Sequence, residues 1–169
     1  MAKVAFKTGD DVSTDIIYPG RFMATVLPTE TPQYAFADNA ELNKKLKANE
    51  IPRGSFIVAG QNFGCGSSRE QAASCLHGWG LIIVARHFSR IFLQNSINLG
   101  LRMLICPDID ANEGDELEIK GEILRNVTTG KEFKILPLPK ARQAIIDAGG
   151  LIPYTRALLL KKKENSRLN

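Results

Sequence analysis

Two serines and an arginine stand side by side at Ser67-Ser68-Arg69, delivered by the glycine-rich stretch Gln61-Asn62-Phe63-Gly64-Cys65-Gly66. Hydroxyls next to a fixed cation suit two kinds of chemistry. They can hold an anionic substrate, or the setting can lower the pKa of one hydroxyl until it works as a base. Upstream, Ser55-Phe56-Ile57-Val58-Ala59 is a short apolar, β-branched run of the kind that forms a buried strand. Downstream, Arg69-Glu70-Gln71-Ala72-Ala73-Ser74-Cys75-Leu76 has helix-forming composition with small residues suited to close packing. A strand, a glycine turn and a helix start put Ser67 and Ser68 near an N-cap, where unpaired N–H groups and the helix dipole favour negative charge. A plain capping turn would use the same letters. A nucleotide loop would not: no Gly-Lys-Ser/Thr follows Gly60, and Arg69 occupies the place of the third dinucleotide-binding glycine.

The elements that must hold this turn are legible from patterning. Apolar runs at residues 4–6, 55–59, 82–85 and 103–106 read as strands, the last ended by Pro107. Helical composition lies between them at 41–48, 69–76 and 89–99, the last leading to Gly100. Strands alternating with helices predict parallel pairing and a layered α/β core. Ile16-Ile17-Tyr18 runs into the turn Pro19-Gly20, and residues 21–33, rich in Pro and Thr, read as an excursion loop. From Asp115 three short strand patterns, separated by Lys120-Gly121 and Thr129-Gly130, predict a β-meander. A helix over 139–148 is closed by Gly149-Gly150.

Composition narrows the function classes. A chain of 169 residues, 44% hydrophobic and 24% charged, fits one globular domain. No apolar run approaches the ~20 residues of a membrane span and the N-terminus lacks a signal-peptide layout, so the expected location is cytoplasmic. Cys65, Cys75 and Cys106 are an odd number without a Cys-x-x-Cys pair, which suggests neither a disulfide framework, nor zinc, nor the thiolates of an iron–sulfur cluster. His77 and His87 are ten residues apart, which is not a helical ligand spacing. The net charge of +4 comes largely from Lys161-Lys162-Lys163, so residues 161–169 read as a basic flexible tail on a nearly neutral body of residues 1–160. Basic residues spread along a face with stacking aromatics, as nucleic-acid binding needs, are not seen.

Asn62-Phe63-Gly64-Cys65-Gly66-Ser67-Ser68-Arg69-Glu70 resembles the signature of the aconitase superfamily's swivelling domain. It is most similar to the free-standing small subunits of the 3-isopropylmalate dehydratase and homoaconitase type. Ser13-Thr14-Asp15-Ile16-Ile17-Tyr18-Pro19 resembles the family's Thr-Asp-x-Ile-x-Pro element. His87-Phe88-Ser89-Arg90-Ile91-Phe92 and Asn95-Ser96-Ile97-Asn98-Leu99-Gly100 resemble its Phe-Ala-Arg-Ile-Phe and Asn-x-Ile-Asn-x-Gly elements. Gly149-Gly150-Leu151-Ile152-Pro153-Tyr154 resembles its C-terminal Gly-Gly-Leu stretch. The blocks keep the family's order.

The resemblance implies a single compact swivelling β/β/α domain and a hydro-lyase active only with a large subunit. The reaction would be reversible dehydration and rehydration of a substituted malate, foremost the isomerisation of 2- and 3-isopropylmalate in leucine biosynthesis. No cofactor is expected in this chain; a [4Fe–4S] cluster is expected in the partner large subunit. The family signature puts the catalytic base on Ser67, substrate binding on Ser68 and Arg69, and an orienting aspartate at Asp15. Bland readings stand beside these: Glu70 as a first-turn dipole partner, Asp15 as a turn residue bonding its own backbone. The family's substrate-reading tetrapeptide falls on Phe22-Met23-Ala24-Thr25, with Ala24 where an arginine would read an extra carboxylate. Arg21 just before it either contacts substrate or packs the loop. An arginine-free loop fits isopropylmalate better than aconitate or homoaconitate. Dehydratases of dimethylmalate, of methylmalate and citraconate, or of homoaconitate are the neighbouring alternatives. A non-catalytic anion- or RNA-binding module is the alternative of a different class, supported only by the tail lysines.

Overall fold

In the computed structural model, which describes residues 1–165, the chain runs β1 (Ala2–Lys7), α1 (Thr14–Ile17), α2 (Ala40–Lys47), β2 (Phe56–Ala59), α3 (Glu70–Gly78), β3 (Ile82–Ala85), α4 (Arg90–Leu99), β4 (Arg102–Ile105), β5 (Glu116–Lys120), β6 (Ile123–Asn126), β7 (Glu132–Lys134), α5 (Lys140–Asp147) and α6 (Leu151–Asn165). The seven strands form one sheet in the order β4-β3-β2-β1-β5-β6-β7. The half built from β1 to β4 is parallel, with Ile57 facing Ile83 and Ile83 facing Met103 in register. The half from β5 to β7 is an antiparallel meander, joined to the parallel half where β1 pairs antiparallel with β5.

The alternation of side chains along each strand explains why Phe56-Ile57-Val58-Ala59 and Ile82-Ile83-Val84-Ala85 are apolar at every position. Ile57, Ala59, Ile83 and Ala85 face a core shared with Ala72, Leu76, Phe92 and Ile97 of the helices. Phe56, Val58, Ile82 and Val84 face a second core with Leu117, Leu124 and Phe133 of the meander. Both faces are covered, so no polar alternation survives.

Three features depart from the pattern-based expectation. Residues 14–17 form a short helix, N-capped by the Ser13 side chain, which accepts from the Ile16 N–H. The 21–33 excursion contains two 3₁₀ turns, Gly20–Phe22 and Thr31–Tyr34. The helix α6 continues through Lys161, Lys162 and Lys163 to Asn165, so the tail boundary expected at residue 161 falls inside a helix. Residues 166–169 lie outside the described residues.

Candidate active site

The serine turn leaves the C-terminal end of β2 and is laced on both sides. On one side, Gly60 N–H donates to Gly9 O at 3.1 Å, Asp11 N–H to Gln61 O at 2.9 Å, Gly64 N–H to Val12 O at 2.7 Å and Thr14 N–H to Cys65 O at 2.8 Å. On the other, Phe63 N–H donates to His87 O at 3.0 Å and Ser89 N–H to Phe63 O at 2.9 Å. The turn is thus an irregular continuation of the sheet beyond its strands. Gly64 is the point of tightest fit. Its φ is +80°, and a Cβ there would lie 2.2 Å from Cγ of Phe92, a ring buried in the helical core.

Ser67 and Ser68 lie just before the N-cap of α3, which is Arg69 itself, with no side chain capping the helix. Expected near an N-cap, they are exposed, and the first-turn N–H groups of α3 are left without a capping side chain. Negative charge is favoured there. Neither serine hydroxyl makes a hydrogen bond among the described residues, but the backbone beneath them is fixed. Thr14 Oγ1 accepts from Ser67 N–H and donates to Ser67 O, both at 3.2 Å. Asn95 Nδ2 donates to Ser68 O at 3.2 Å. Thr14 is 1% exposed, so its bridging hydroxyl is sheltered from competing water.

Arg69 and Asp15 are brought into direct contact as an ion pair, with the arginine side chain 16% exposed and the aspartate 59%. Arg69 Nη1, on the buried edge of the guanidinium, lies in direct contact with Asp15 Oδ1. The Arg69 guanidinium beside Asp15 holds its carboxyl below the usual carboxylate range, aided by the Gly20 N–H. A Cβ on Gly20 would lie 3.3 Å from Arg69 Nη2, so glycine keeps this approach open.

The expected substrate loop is placed less uniformly. Arg21 spends its fork on Asp38, with Nη1 donating to Oδ2 at 3.2 Å and Nη2 bonding Oδ1, and stacks its cation 4.6 Å from the Phe22 ring centre. Phe22 in turn stacks on Tyr34 at 4.2 Å, and Tyr18 OH donates to Phe22 O at 3.1 Å. The loop-packing alternative for Arg21 is the one with partners here. Met23 is tied to the site by Gln71 Nε2, which donates to Met23 O at 3.4 Å. Met23 and Ala24 are exposed and Thr25 is half-buried. Thr14, Asn95, Asp38 and Gln71 were not singled out from sequence. Thr14 stands beside Asp15 in one motif, so adjacency was the signal that could have found it. Asn95 opens the Asn-x-Ile-Asn-x-Gly element, but nothing in that element points to Ser68, and for Asp38 and Gln71 the partner is distant in sequence and no local pattern marks them.

The chain's own donors do not fit an iron–sulfur cluster. Among the described residues no three His, Cys, Asp or Glu side chains gather as a metal-binding group. Burial pushes the Cys75 thiol far up and the Cys106 thiol to about 11, the wrong direction for thiolate ligands. Half-exposed Cys65 instead donates from Sγ to Asp11 O at 3.4 Å, within the lacing of the turn. Burial and nearby Arg53 lower the pKa of His77. No helix among the described residues is long and apolar enough to cross a membrane.

Known proteins resemble this arrangement along most of the chain. The Aconitase C-terminal domain family profile matches residues 11–108, which include the serine turn and, apart from Gly9, the segments that lace it. A protein of Archaeoglobus fulgidus named 3-isopropylmalate dehydratase small subunit 1 is 41% identical over 158 residues, 91% of this chain and 96% of its own. A Methanocaldococcus jannaschii protein named isopropylmalate/citramalate isomerase small subunit is 43% identical, covering 94% of this chain and 92% of its own. The crystal structure of 3-isopropylmalate dehydratase (leuD) from Methanocaldococcus jannaschii superposes with a TM-score of 0.88 at 35% identity, over 96% of this chain and 97% of that one. With the mixed seven-stranded sheet, the laced serine turn and these matches in agreement, the chain belongs to the aconitase C-terminal domain family.

Proposed function

We propose that this chain is the small subunit of a two-subunit hydro-lyase that isomerises 2- and 3-isopropylmalate in leucine biosynthesis. The carrying observation is the exposed Ser67-Ser68-Arg69 turn, with Arg69 paired to Asp15, in a chain whose relatives bear the name 3-isopropylmalate dehydratase small subunit. In this reading the enzyme works in the cytoplasm and meets a dicarboxylate hydroxy-acid at the interface between its subunits.

The chemistry asks for abstraction of a proton from the carbon α to a carboxylate, departure of hydroxide from the neighbouring carbon, and return of water with the opposite placement. Ser67, as alkoxide, takes the proton and gives it back. An isolated hydroxyl is far too weak a base, so the uncapped N–H groups of α3 and the Arg69 cation must favour its ionised form. Ser68 and Arg69 bind substrate carboxylate. Because Arg69 is already paired with Asp15, an incoming carboxylate shares the guanidinium with that aspartate, and Asp15 orients it. The Lewis acidity that leaving hydroxide requires falls, in this proposal, to a [4Fe–4S] cluster of the large subunit.

The loop bearing Met23 and Ala24 offers no cation for an additional carboxylate, with Arg21 engaged by Asp38. That supports an alkyl-substituted malate over a tricarboxylate. The name of the Methanocaldococcus jannaschii relative pairs isopropylmalate with citramalate, which favours a second reading: a shorter alkyl group is accepted too. The test is reconstitution. The purified chain should be inactive alone and restore isopropylmalate isomerisation to an iron-reconstituted large subunit, while Ser67→Ala should cut kcat by about 10²–10⁴ and leave the two chains associated. Turnover by the wild-type chain alone, or near-normal kcat for Ser67→Ala, would overturn the assignment.

A further inference from the structure

We infer that the groove between α4 and α5 is where an acidic, partly apolar segment of the large subunit docks. This inference rests on the two-subunit reading above and adds a location and a chemistry to it. The groove encloses about 710 Å³ and is lined by Arg90, Ile91, Gln94 and Asn95 of α4 and by Arg142 of α5. No acidic side chain lines it. Arg90 and Arg142 are both exposed, and neither enters an ion pair among the described residues. Some exposed cations elsewhere on the chain are paired, as Arg21 is with Asp38, Lys45 with Glu41 and Lys131 with Asp110, whereas both arginines of this groove keep their charge free of a carboxylate among the described residues. The groove also receives the N-terminal end of α4, which Ser89 does not cap with its side chain. Two unpaired guanidinium groups and an uncapped helix start make it electropositive. Ile91, 48% exposed, supplies an apolar anchor point between them.

Continuity with the reactive face identifies the occupant. Asn95, in the groove wall, holds Ser68 O at 3.2 Å, and Ser89 at its rim holds Phe63 O through its N–H at 2.9 Å. The groove therefore adjoins the serine turn, and a chain that covers Ser67 and Ser68 comes within reach of it. The other large apolar exposure, Ile152 with Leu159 and Leu160 on α6, begins near the opposite end of α4, where Gly100 meets Gly149 and Gly150. Unlike Asn95 and Ser89, the apolar residues Ile152, Leu159 and Leu160 make no hydrogen bond to the serine turn. The walls of the α4–α5 groove are packed helices anchored by Phe92, Ile97 and Ile146, so the groove is preformed and its binding loses little ordering entropy.

Arg142 tests this, because it lies on α5, outside the serine turn and the substrate loop. Binding of the iron-reconstituted large subunit to the wild type, Arg142→Glu and Arg142→Lys is followed by stopped-flow association and equilibrium titration, at low and at elevated salt. Arg142→Glu should weaken binding on the order of tenfold at low salt, mainly through slower association, and the deficit should shrink as salt is raised. Arg142→Lys should stay near the wild type. With the large subunit saturating, kcat and KM of Arg142→Glu should be unchanged. Should Arg142→Glu bind as tightly as a wild type that binds and turns over, the docking groove is refuted while the dehydratase reading stands. A change only in KM at saturating large subunit would also overturn it, pointing instead to steering of the anionic substrate. Failure of the wild type to bind would remove the two-subunit reading itself.

Discussion

Adding one carbon at Gly64 should be among the most damaging changes in the chain, and the structure separates the reasons. At φ +80° an L-residue pays about 1–2 kcal/mol for the left-handed backbone. A Cβ there would also sit 2.2 Å from Phe92 Cγ and 2.4 Å from its Cβ, where neither ring nor helix can retreat without opening the core. Overpacking of that kind costs about 1–3 kcal/mol more. Gly66 is the internal control. Its φ is +90°, yet its nearest neighbours for a Cβ are at 3.7 Å, ordinary contact distance. Gly66→Ala should therefore cost only the backbone part, and Gly64→Ala about 2–5 kcal/mol in all, a large share of a typical stability of about 5–15 kcal/mol. Urea unfolding of both variants measures the difference, which should be about 1–3 kcal/mol. A Gly64→Ala, Phe92→Ala double variant should recover part of the steric cost, so the two single effects should fail to add. Equal losses at Gly64 and Gly66, or strict additivity with Phe92→Ala, would refute the steric account.

Thr14→Val keeps the side-chain shape but strands Ser67 N–H, so it should cost about 1–3 kcal/mol in urea unfolding and lower kcat in the reconstituted enzyme without raising KM comparably. Ala24→Arg should move the kcat/KM ratio toward tricarboxylates by about tenfold or more at the expense of isopropylmalate, read with one large subunit throughout; an unchanged ratio would detach Ala24 from substrate reading. Asp15 has its pKa lowered by Arg69, so its ionised form stabilises the fold above the ordinary carboxylate pKa and that contribution is lost as pH falls through the lowered value. The stability gap between wild type and Asp15→Asn, measured by urea melts across pH, should accordingly be present at neutral pH and close in acid; a gap that widens in acid would contradict the sign.

What sequence could reveal depended on whether the cause was local. The strands β2 and β3 were legible because double-sided burial demands unbroken apolar runs, and α4 because Gly100 ends it in the left-handed conformation its C-cap requires. The serine turn was legible because glycine spacing and flanking patterns reside within one short stretch. The helix α1 was not: it is four residues long, too short for periodicity, and is set by the Ser13 cap together with the Thr14 bond to Cys65. Lys161, Lys162 and Lys163 suggested a solvated tail, yet lysine is a good helix former and its charge complements a helix C-terminus. The roles of Arg21 and Asn95 depended on Asp38 and on the Ser68 carbonyl, partners 17 and 27 residues away along the chain.

The lacing of the serine turn has a consequence for how the site comes into being. The Asn62–Asp11 bond joins residues 51 apart and the Asn95–Ser68 bond residues 27 apart, in opposite directions along the chain. Chain closure over such spans must be completed before either contact repays it, and parallel strand pairing adds to the delay. During synthesis the Gly-Cys-Gly-Ser-Ser-Arg motif leaves the ribosome well before Phe92 and Asn95, which hold it from behind. A nascent chain of that length carries Asp15, Ser67, Ser68 and Arg69 but lacks Phe92 and Asn95, which fix the turn. Formation of the serine turn is thus expected to wait for β3 and α4, and for the bonds from His87, Ser89 and Asn95 that complete its lacing.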